Sequence, residues 1–371
     1  MGTLERYLAR EILLPFAAGL VFLTQILVAT QILAQAGVLL GSGVSAVDLA
    51  AVSLDLVPHF LGYVLPIAFL LGAVVGVGRL AEDREVVALG AAGISPVRLV
   101  RVPLLLGLAV SAVALLVALR VEPAALRDAR RRVNDMIRQN VSSDVKGGVF
   151  YDDLPAVTLY AEAVQDGHWS RVLISDRTDP AAPLMALAQS GRLEPAGAGA
   201  DLRLVLERGE VHREELRSEE YVAAGYDRAV ITLGVGRTLA EHNRVGRALF
   251  ELEPEQIRAL AREKAAAGDA EGRRRWETFF HRRIAAPLSI LAFALLAVPV
   301  AATRRGGRAF GYAATLLAVV AYYALLRVGE ALSQNGGLPP WLGPHLGNLA
   351  FAAAGAAAIA LLARRGPEAV R

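Results

Sequence analysis

The chain has 371 residues, of which 54% are hydrophobic and 20% are charged, with a net charge of +3 and a mean hydropathy of +0.42. That hydropathy is high for a soluble domain, and the apolar residues gather in long runs with few or no charges. The chain has no cysteine, which excludes a disulfide framework and any thiol chemistry.

The longest apolar runs predict membrane-spanning helices. Each has about 18 residues or more, which is roughly the length that an α-helix needs to cross the hydrocarbon core of a bilayer. Six transmembrane helices are therefore expected, three on each side of a long middle region. The runs are 12–36, 56–78, 102–119, 284–303, 309–326 and 346–363.

The arginines predict the side of the membrane on which each connection lies. Short segments that carry arginine are the N-terminus, the 79–101 loop, the 304–308 loop and the tail, whereas the 37–47 and 331–344 connections contain no Lys or Arg. Basic residues accumulate in cytoplasmic loops. We therefore expect both termini and the 79–101 loop in the cytoplasm, and the middle region outside, which is the periplasm in a Gram-negative cell.

A charged stretch, RLAEDREVVALGAAGISPVRL, separates the second and third spans at residues 79–99. It predicts a short helix over 82–92. Glu82, Asp83 and Glu85 are expected in the first turn of this helix, where negative charge complements the helix dipole.

The end of this short helix is also marked in the sequence. Gly90 and Gly93 are suited to end or bend it, and Pro96 suits the first turn of the following helix. From the residues alone, two interpretations stay open: a solvated loop with a few charges, or an interface helix that docks to a cytoplasmic partner.

The middle region contains a β domain and a helical segment. Between 147 and 236, several stretches alternate apolar and polar residues and are separated by Gly, Pro or Asp, which predicts consecutive short strands in a sandwich, jellyroll or open barrel. The segment 253–288 is rich in Glu, Ala and Arg instead. It predicts a helix that leads toward the fourth span, with Gly268 and Gly272 interrupting it.

Several kinds of chemistry have no sequence signal. Neither lysine follows a glycine, so the chain has no P-loop and no ATP site of that type; it also has no H-E-x-x-H and no G-x-S-x-G motif. The six histidines lack metal-ligand spacing. We therefore expect neither an enzyme nor a metal site. Basic stretches such as RDARRRVND lie on the expected outer side, which argues against nucleic acid and leaves solvated surface or anionic lipid as alternatives.

Polar residues also lie near the outer ends of three spans, where charge is costly. Gln31 and Gln35 share a helix face at spacing i, i+4, Arg327 and Glu330 can pair at i, i+3, and Arg120 ends the third span. Two interpretations stay open for this set. It either anchors the helices at the interface, or it forms the polar rim of a cavity that meets the head group of a large amphiphile.

The arrangement of three spans, an outer β domain and three more spans resembles the permease subunits of the lipopolysaccharide-export ABC transporter, the F and G subunits of the Lpt system. The resemblance covers essentially the whole chain. It rests on RYLAREILLPF at 6–16, on LPIAFLLGAVVGVGRLAEDREVVALGAAGIS at 65–95, and on APLSILAFALLAVPVA at 286–301 followed by SQNGG at 333–337. The last element leans toward the F subunit.

This resemblance implies a fold class and a domain organisation. The fold is an α-helical membrane protein with six transmembrane helices and an inserted all-β, jellyroll-like periplasmic domain. Residues 1–121 would hold the first three transmembrane helices with the cytoplasmic coupling helix 82–92. Residues 122–280 would form the periplasmic domain with its linkers, and 281–371 the last three helices and a cytoplasmic tail.

The resemblance also implies roles for residues. The helix after the second span would sit in a groove of a separate cytoplasmic ATPase, with Glu85 as the main contact and Glu82, Asp83 and Arg84 as neighbours. Family members carry basic residues near the substrate phosphates in the first helix, where this chain has glutamines, which would move that role to the partner permease or to Arg327. The candidate lipid-cavity set comprises Gln31, Gln35, Arg120, Arg327 and Glu330.

The implied function is extraction of lipopolysaccharide from the outer leaflet of the bacterial inner membrane and its delivery to a periplasmic bridge. The implied partners are a second Lpt-type permease in a heterodimer, a cytoplasmic ABC ATPase dimer and a single-span membrane-anchored bridge protein. No cofactor is expected in this chain, because the partner ATPase would bind ATP. A non-transporting mechanotransmission or scaffold protein is the alternative. A secondary transporter would show discontinuous, charged helices near mid-membrane, and these spans are nearly free of charge.

Overall fold

The computed structural model describes residues 2–40, 46–143, 147–154, 157–165, 167–177, 183–195, 202–215, 220–233, 249–302 and 307–365. The chain divides into two compact units. The helical unit comprises Met1–Gln31, Leu54–Leu126 and Ala248–Arg371, and the second unit comprises Ile32–Ser53 and Arg127–Arg247.

The described residues contain ten α-helices. In chain order these are α1 (Thr3–Leu40), α2 (Ala46–Asp55), α3 (Val57–Glu82), α4 (Glu85–Ala91), α5 (Pro96–Leu116), α6 (Glu122–Ser143), α7 (Pro254–Ala266), α8 (Ala270–Ala302), α9 (Gly307–Gln334) and α10 (Leu346–Arg365). A π-helical turn, Val117–Val121, joins α5 to α6, and a 3₁₀ turn, Gly343–His345, precedes α10.

Within the described parts of the chain, six helical stretches are long and apolar enough to cross a membrane, one at each predicted run. They are Thr3–Leu33, Val57–Glu82, Arg98–Val133, Ala270–Ala301, Gly311–Gln334 and Gly343–Arg364. The prediction of six transmembrane helices is therefore confirmed. Several helices extend beyond their apolar runs because the flanking charged residues continue the helical hydrogen bonding.

Two helical segments fall outside the predicted spans. α2 lies just after the 37–47 connection, and the basic stretch 127–135 is the continuation of α6. Within that stretch Arg130, Arg131 and Arg132 are exposed and Ala129 is buried. The basic stretch is thus the solvated side of an amphipathic helix, which agrees with the interpretation as surface.

The predicted helix before the fourth span is α7, and the break after it lies at one glycine only. Gly268 has a φ of +74° and ends the helix in the left-handed conformation. Gly272 instead lies in the first turn of α8, where its N–H donates to Asp269 Oδ1 at 2.7 Å. This bond, followed by the Lys264 ammonium at 3.3 Å, holds the pKa of the Asp269 carboxyl below its usual range.

The core of the helical unit is built around α3 and α8. In the most apolar stretch of each of these two helices, 61% and 56% of the residues are buried, whereas the corresponding share is 17% in each of α1, α9 and α10. Phe69 of α3 and Phe293 of α8 are both fully buried in this core, and the Phe293 ring meets Tyr322 of α9 edge-on at 5.1 Å. The peripheral helices therefore leave long apolar faces exposed, which in a bilayer contact lipid or another helix.

α1 crosses α3 at unusually short distance because of one proline and two glycines. Pro15 lacks the N–H that would bond the Glu11 carbonyl. A Cβ at Gly76 of α3 would lie 2.5 Å from that Glu11 oxygen, and a Cβ at Gly72 would lie 2.7 Å from the backbone N of Phe16. Only glycine at these two positions lets the helix backbones approach so closely.

The same arrangement occurs between α8 and α10. Pro299 leaves the Leu295 carbonyl without its helical donor, and a Cβ at Gly355 of α10 would lie 3.1 Å from this oxygen. Proline on one helix and glycine on its neighbour thus set two of the close helix contacts in this unit.

The second unit contains a six-stranded antiparallel sheet. Its strands are β1 (Phe150–Leu154), β2 (Val157–Gln165), β3 (His168–Asp176), β4 (Leu184–Pro195), β5 (Leu202–Glu215) and β6 (Glu220–Leu233), paired in sequential order. The prediction of an inserted β domain is confirmed. Within the described strands the sheet is an open meander, because β1 and β6 do not pair with each other.

A line of interrupted strand pairing, called the crease below, crosses this sheet. On both sides of the crease the strands pair in the same register. At the crease itself, one residue pair is missing between β2 and β3, between β3 and β4, between β4 and β5, and between β5 and β6. Two of the residues in the crease have left-handed backbone conformations, Arg171 with φ 46° and Arg208 with φ 52°. Each of these strands thus carries one residue outside the alternation of faces, and the register is unchanged because both strands of every pair do so at the same place. The row is Glu162, Arg171, Gln189, Arg208 and Asp227.

A tyrosine supports the crease where its backbone pairing is interrupted. The hydroxyl of Tyr226 on β6 passes over Gly209 of β5 and donates to the carbonyl of Leu187 on β4 at 2.8 Å. A Cβ at Gly209 would collide with that carbonyl and with the tyrosine ring. Burial raises the pKa of Tyr226, so its hydroxyl stays protonated and remains a donor.

Tyr226→Phe removes this hydroxyl and should loosen the centre of the sheet. We expect a loss of about 1 kcal/mol in the free energy of opening, because the Leu187 carbonyl loses its hydrogen-bond donor. Hydrogen exchange of the β4 amides in the full-length protein should rise about fivefold. Tyr221→Phe, which removes an exposed hydroxyl bonded to His212 Nδ1, serves as the control and should have a smaller effect. Equal β4 protection in both variants would contradict this role.

Candidate functional site

Polar side chains gather at both ends of α3. Arg79 and His59 are separated by 20 positions, which at about 1.5 Å per residue places them roughly 30 Å apart along the helix, similar to the thickness of a hydrocarbon core. The α4 cluster consists of Tyr7, Glu11, Arg79, Asp83 and Glu85. The His59 cluster consists of His59, Glu122, Arg282, Arg283, Arg327 and Glu330.

The junction between α3 and α4 differs from the predicted helix over 82–92. Glu82 is the last residue of α3, and Asp83 with Arg84 forms a turn in which Arg84 has a left-handed φ of 58°. α4 therefore begins only at Glu85. The expectation that Glu82 and Asp83 belong to its first turn is wrong, because α3 continues to Glu82 and the left-handed residue Arg84 separates it from α4.

The other end of α4 follows the expected pattern more closely. Gly93 has a φ of +81° and ends the helix, and the Ile94 N–H donates to the Leu89 carbonyl at 2.9 Å. Gly90 lies inside α4 and does not end it. Pro96 is the first residue of α5, so its predicted position is confirmed.

Glu85, the main residue of the predicted contact set, is held by α1. Its Oε1 accepts a hydrogen bond from the Tyr7 hydroxyl of α1 at 3.1 Å, and its side chain is half-buried. Glu82, Asp83 and Arg84 are exposed. The structure thus places the four residues at one end of the bundle, with Glu85 turned toward α1.

A second contact links α1 to α3 beside the first. Arg79 Nη1 donates to Glu11 Oε2 at 3.0 Å, and its Nε lies 3.8 Å from Asp83 Oδ2. Tyr7 and Glu11 follow one another by one turn of α1. Sequence reasoning missed both as partners because each lies about 70 positions from its counterpart, and no local spacing relates them.

The His59 cluster contains a partly buried pair of side chains. His59 Nδ1 and Glu122 Oε1 are 2.7 Å apart, and Glu122 is buried. The His59 ring also meets Phe250 edge-on at 5.1 Å. Glu122 directly follows the π-helical turn Val117–Val121, a wider winding that often accompanies functional positions.

Arg283 ties the turn before α7 to α8. Its guanidinium donates to the carbonyl of Leu252 and, at 2.7 Å, to the carbonyl of Phe250. The arginine is buried, so these backbone oxygens satisfy two of its donors without a carboxylate. Phe250 is therefore fixed between His59 and Arg283.

Glu330 of α9 joins two arginines. Arg327 Nη1 donates to its Oε2 at 3.0 Å, which confirms the predicted i, i+3 pair. Arg282 of α8 brings its Nε to 2.9 Å from Oε1, an ion pair that lacks hydrogen-bond alignment. The Glu330 side chain is 7% exposed, Arg282 16% and Arg327 62%. Arg282 is thus the internal partner, and Arg327 presents its charge to the outside.

The cavity inside the His59 cluster is small. Its volume is about 40 Å³, and His59, Glu122, Arg283 and Tyr323 are among its lining residues. Ligand pockets usually have roughly 300–1,000 Å³. The cavity therefore cannot enclose a lipid head group, whereas the Arg327 side chain beside Glu330 is 62% exposed. Among the residues that the structure describes, no group of three acidic or histidine side chains could hold a metal ion.

Two of the remaining predicted cavity residues, Arg120 and Gln31, lie outside this cluster. Arg120 lies on the π-helical turn and is exposed, and Gln31 is half-buried on α1. Gln35 also lies on α1, but its side chain is outside the described part of the structure. Among the described side chains of the predicted cavity set, the structure brings together Arg327 and Glu330.

The chain was compared with known protein families and with curated proteins. A family model described as lipopolysaccharide export system permease LptF/LptG matches residues 6–364, which is nearly the whole chain. No curated protein matches the chain.

Proposed function

Because the chain belongs to the LptF/LptG family of lipopolysaccharide export permeases, we propose that it extracts lipopolysaccharide from the outer leaflet of the inner membrane and passes it to a membrane-anchored periplasmic bridge protein. The match over residues 6–364, which includes all six spans and the inserted sheet, is the observation that carries this proposal. A second permease of the same type would complete the membrane part as a heterodimer.

The energy would come from a separate cytoplasmic ATPase dimer that receives α4 in a groove. α4 has seven residues, which is too short to form a stable complex alone, since specific interfaces usually bury about 1,200–2,000 Å². Two permeases that each present one such helix to an ATPase dimer would bind by avidity. Glu85 is the proposed main contact, with Asp83 and Arg84 exposed beside it.

The proposed orientation places α4 and both termini in the cytoplasm and the six-stranded sheet in the periplasm. The arginines of the 79–101 loop support this direction. The His59 cluster would then lie near the outer leaflet, where Arg327 offers its exposed guanidinium to a lipid phosphate. The exposed apolar faces of α1, α9 and α10 would contact acyl chains or the second permease.

Glu85→Arg tests the ATPase contact. We expect recovery of the ATPase with the affinity-purified permease to fall at least tenfold, because a charge-assisted contact becomes a like-charge or unpaired one. Glu263→Arg makes the same change at an exposed residue of α7, which lies outside the proposed contact set, and should keep the ATPase. The permease level in the membrane should be equal in both variants.

The same purification decides between transport and the alternative function. Wild-type protein should bring down an ATPase, a second six-span protein and lipopolysaccharide. Purification of the permease alone, without ATPase or lipid, would overturn the proposal and favour a scaffold or mechanotransmission protein.

A further inference from the structure

We propose that Tyr7, Glu11 and Arg79 make the N-terminal part of α1 a component of the energy-coupling element, so that this part of α1 moves together with α4. This inference rests on the proposed function, because it names the residues that pass the motion of α4 onward. They are positioning residues: none of them is proposed to touch ATP or lipid.

Two polar contacts provide the connection. The Tyr7 hydroxyl holds Glu85 at 3.1 Å, and the Glu11 carboxylate holds Arg79 at 3.0 Å. Glu85 is the first residue of α4, and Arg79 lies in the last turn of α3. The chain itself joins α4 only to α3 and α5, so the two contacts extend this connection to a helix that is not its neighbour in sequence.

Close packing makes the connection stiff. Leu8 and Ile12, which lie between and beside the two polar residues, are fully buried in the helical core. The backbones of α1 and α3 approach at Gly72 and Gly76, where no larger side chain fits. A displacement of α3 and α4 therefore carries the first four turns of α1 with it, because close-packed backbones cannot slide without separating.

The packing on the core continues to Leu20, and the part of α1 after it is more exposed. Val21, Phe22 and Leu33 are 57%, 62% and 74% exposed. Pro15 lies within the packed part of α1, between Glu11 and Phe16, and removes the hydrogen bond to the Glu11 carbonyl, which makes the helix easier to bend at this point. Motion of the held part would consequently change the direction of the exposed apolar part.

Tyr7 also gives Glu85 a second role besides the proposed ATPase contact. The Tyr7 hydroxyl occupies one carboxylate oxygen and leaves the other available to a partner cation. Loss of this hydroxyl should leave α4 able to bind the ATPase but poorly connected to α1. Binding and coupling are then separable by mutation.

The experiment uses the complete complex of two permeases and the ATPase dimer in proteoliposomes that contain lipopolysaccharide. Lipopolysaccharide delivered to the bridge protein is measured per ATP hydrolysed. Tyr7→Phe should lower this ratio about fivefold, the factor expected for a partly exposed hydrogen bond to a carboxylate. Recovery of the ATPase should stay within about twofold of wild type. Tyr312→Phe, at an exposed tyrosine of α9, is the matched control.

A charge exchange gives the second measurement. Glu11→Arg and Arg79→Glu should each lower the delivery ratio, and the double variant should recover most of it, since the ion pair is restored in reverse. A purely structural role would lower the amount of complex instead and leave the ratio unchanged.

The outcomes separate the two proposals. A normal ratio in Tyr7→Phe and in both single charge variants, with the ATPase bound, would overturn this inference and leave the proposed function standing. Wild-type protein that recovers no ATPase would overturn the proposed function itself, and this inference with it.

Discussion

Gly76→Leu should prevent α1 from packing on α3 and sharply reduce the amount of folded protein. A Cβ at this position would lie 2.5 Å from the Glu11 carbonyl oxygen and 2.9 Å from the Ile12 Cα, so the obstacle is backbone and not a flexible side chain. Relief requires the two helices to separate, which also exposes Leu8 and Ile12 to the bilayer or to detergent. We expect a loss of about 3 kcal/mol or more in the free energy of unfolding.

Gly78→Leu is the matched control, because Gly78 lies on the same helix two positions later, and a Cβ there would meet no atom of a neighbouring helix within 4 Å. It should fold normally and gain slightly from the higher helix propensity of leucine. Thermal unfolding of the detergent-purified proteins, followed by size-exclusion chromatography, measures the difference. A similar melting temperature for the two variants would contradict the close contact between α1 and α3.

The transmembrane helices can be predicted from the sequence because their signal is local. A run of apolar residues long enough to span a bilayer has few alternatives, and each of the six runs coincides with a span of the structure. The ends are harder to predict, since helices continue through charged residues: α8 begins at Ala270, well before the apolar run at 284–303. The start of α4 differs from its predicted position because the left-handed turn at Arg84 has no glycine to mark it.

The candidate site can be predicted only where its residues are neighbours on one helix. Arg327 and Glu330 are expected to pair because i, i+3 spacing places them on one face. The contacts of Glu330 with Arg282, and of Glu85 with Tyr7, depend on how separate helices pack. Glu85 itself is identified through a family resemblance, and its partner on α1 has no comparable signal.

In the sheet, too, the strands can be predicted from local sequence, but the alignment between strands cannot. Alternation of apolar and polar residues is enough to predict strands. The crease cannot be predicted from the sequence. It arises because each of several neighbouring strands has one residue that breaks the alternation of faces, and these residues lie next to one another in the sheet. On β3, for example, the buried residues are Trp169, Val172 and Ile174, a spacing of three and then two. Within a single strand such a step resembles an irregular pattern, and only the pairing of the strands aligns it with the others.

Glu330→Leu is expected to have the second large effect, a loss of about 3–5 kcal/mol in the free energy of unfolding. The change removes the carboxylate that faces Arg282, whose side chain is only 16% exposed and cannot move fully into solvent. An uncompensated buried charge is costly, and a membrane-spanning helix makes it more so. Arg327→Leu removes the other partner of Glu330, but its side chain is 62% exposed, so we expect a loss of at most about 1 kcal/mol.

The double variant Arg282→Leu with Glu330→Leu separates the cost of an unpaired charge from the value of the pair itself. Replacing both members of a buried ion pair with apolar residues is often neutral, so the double variant should recover most of the stability that Glu330→Leu loses. Melting temperatures of the single and double variants in detergent complete the cycle. A double variant that is as unstable as Glu330→Leu would show that the carboxylate has another essential partner in this cluster. Recovery of stability without recovery of lipopolysaccharide delivery would instead indicate that the charges are retained for transport, with Arg327 held by Glu330 in position for a lipid phosphate.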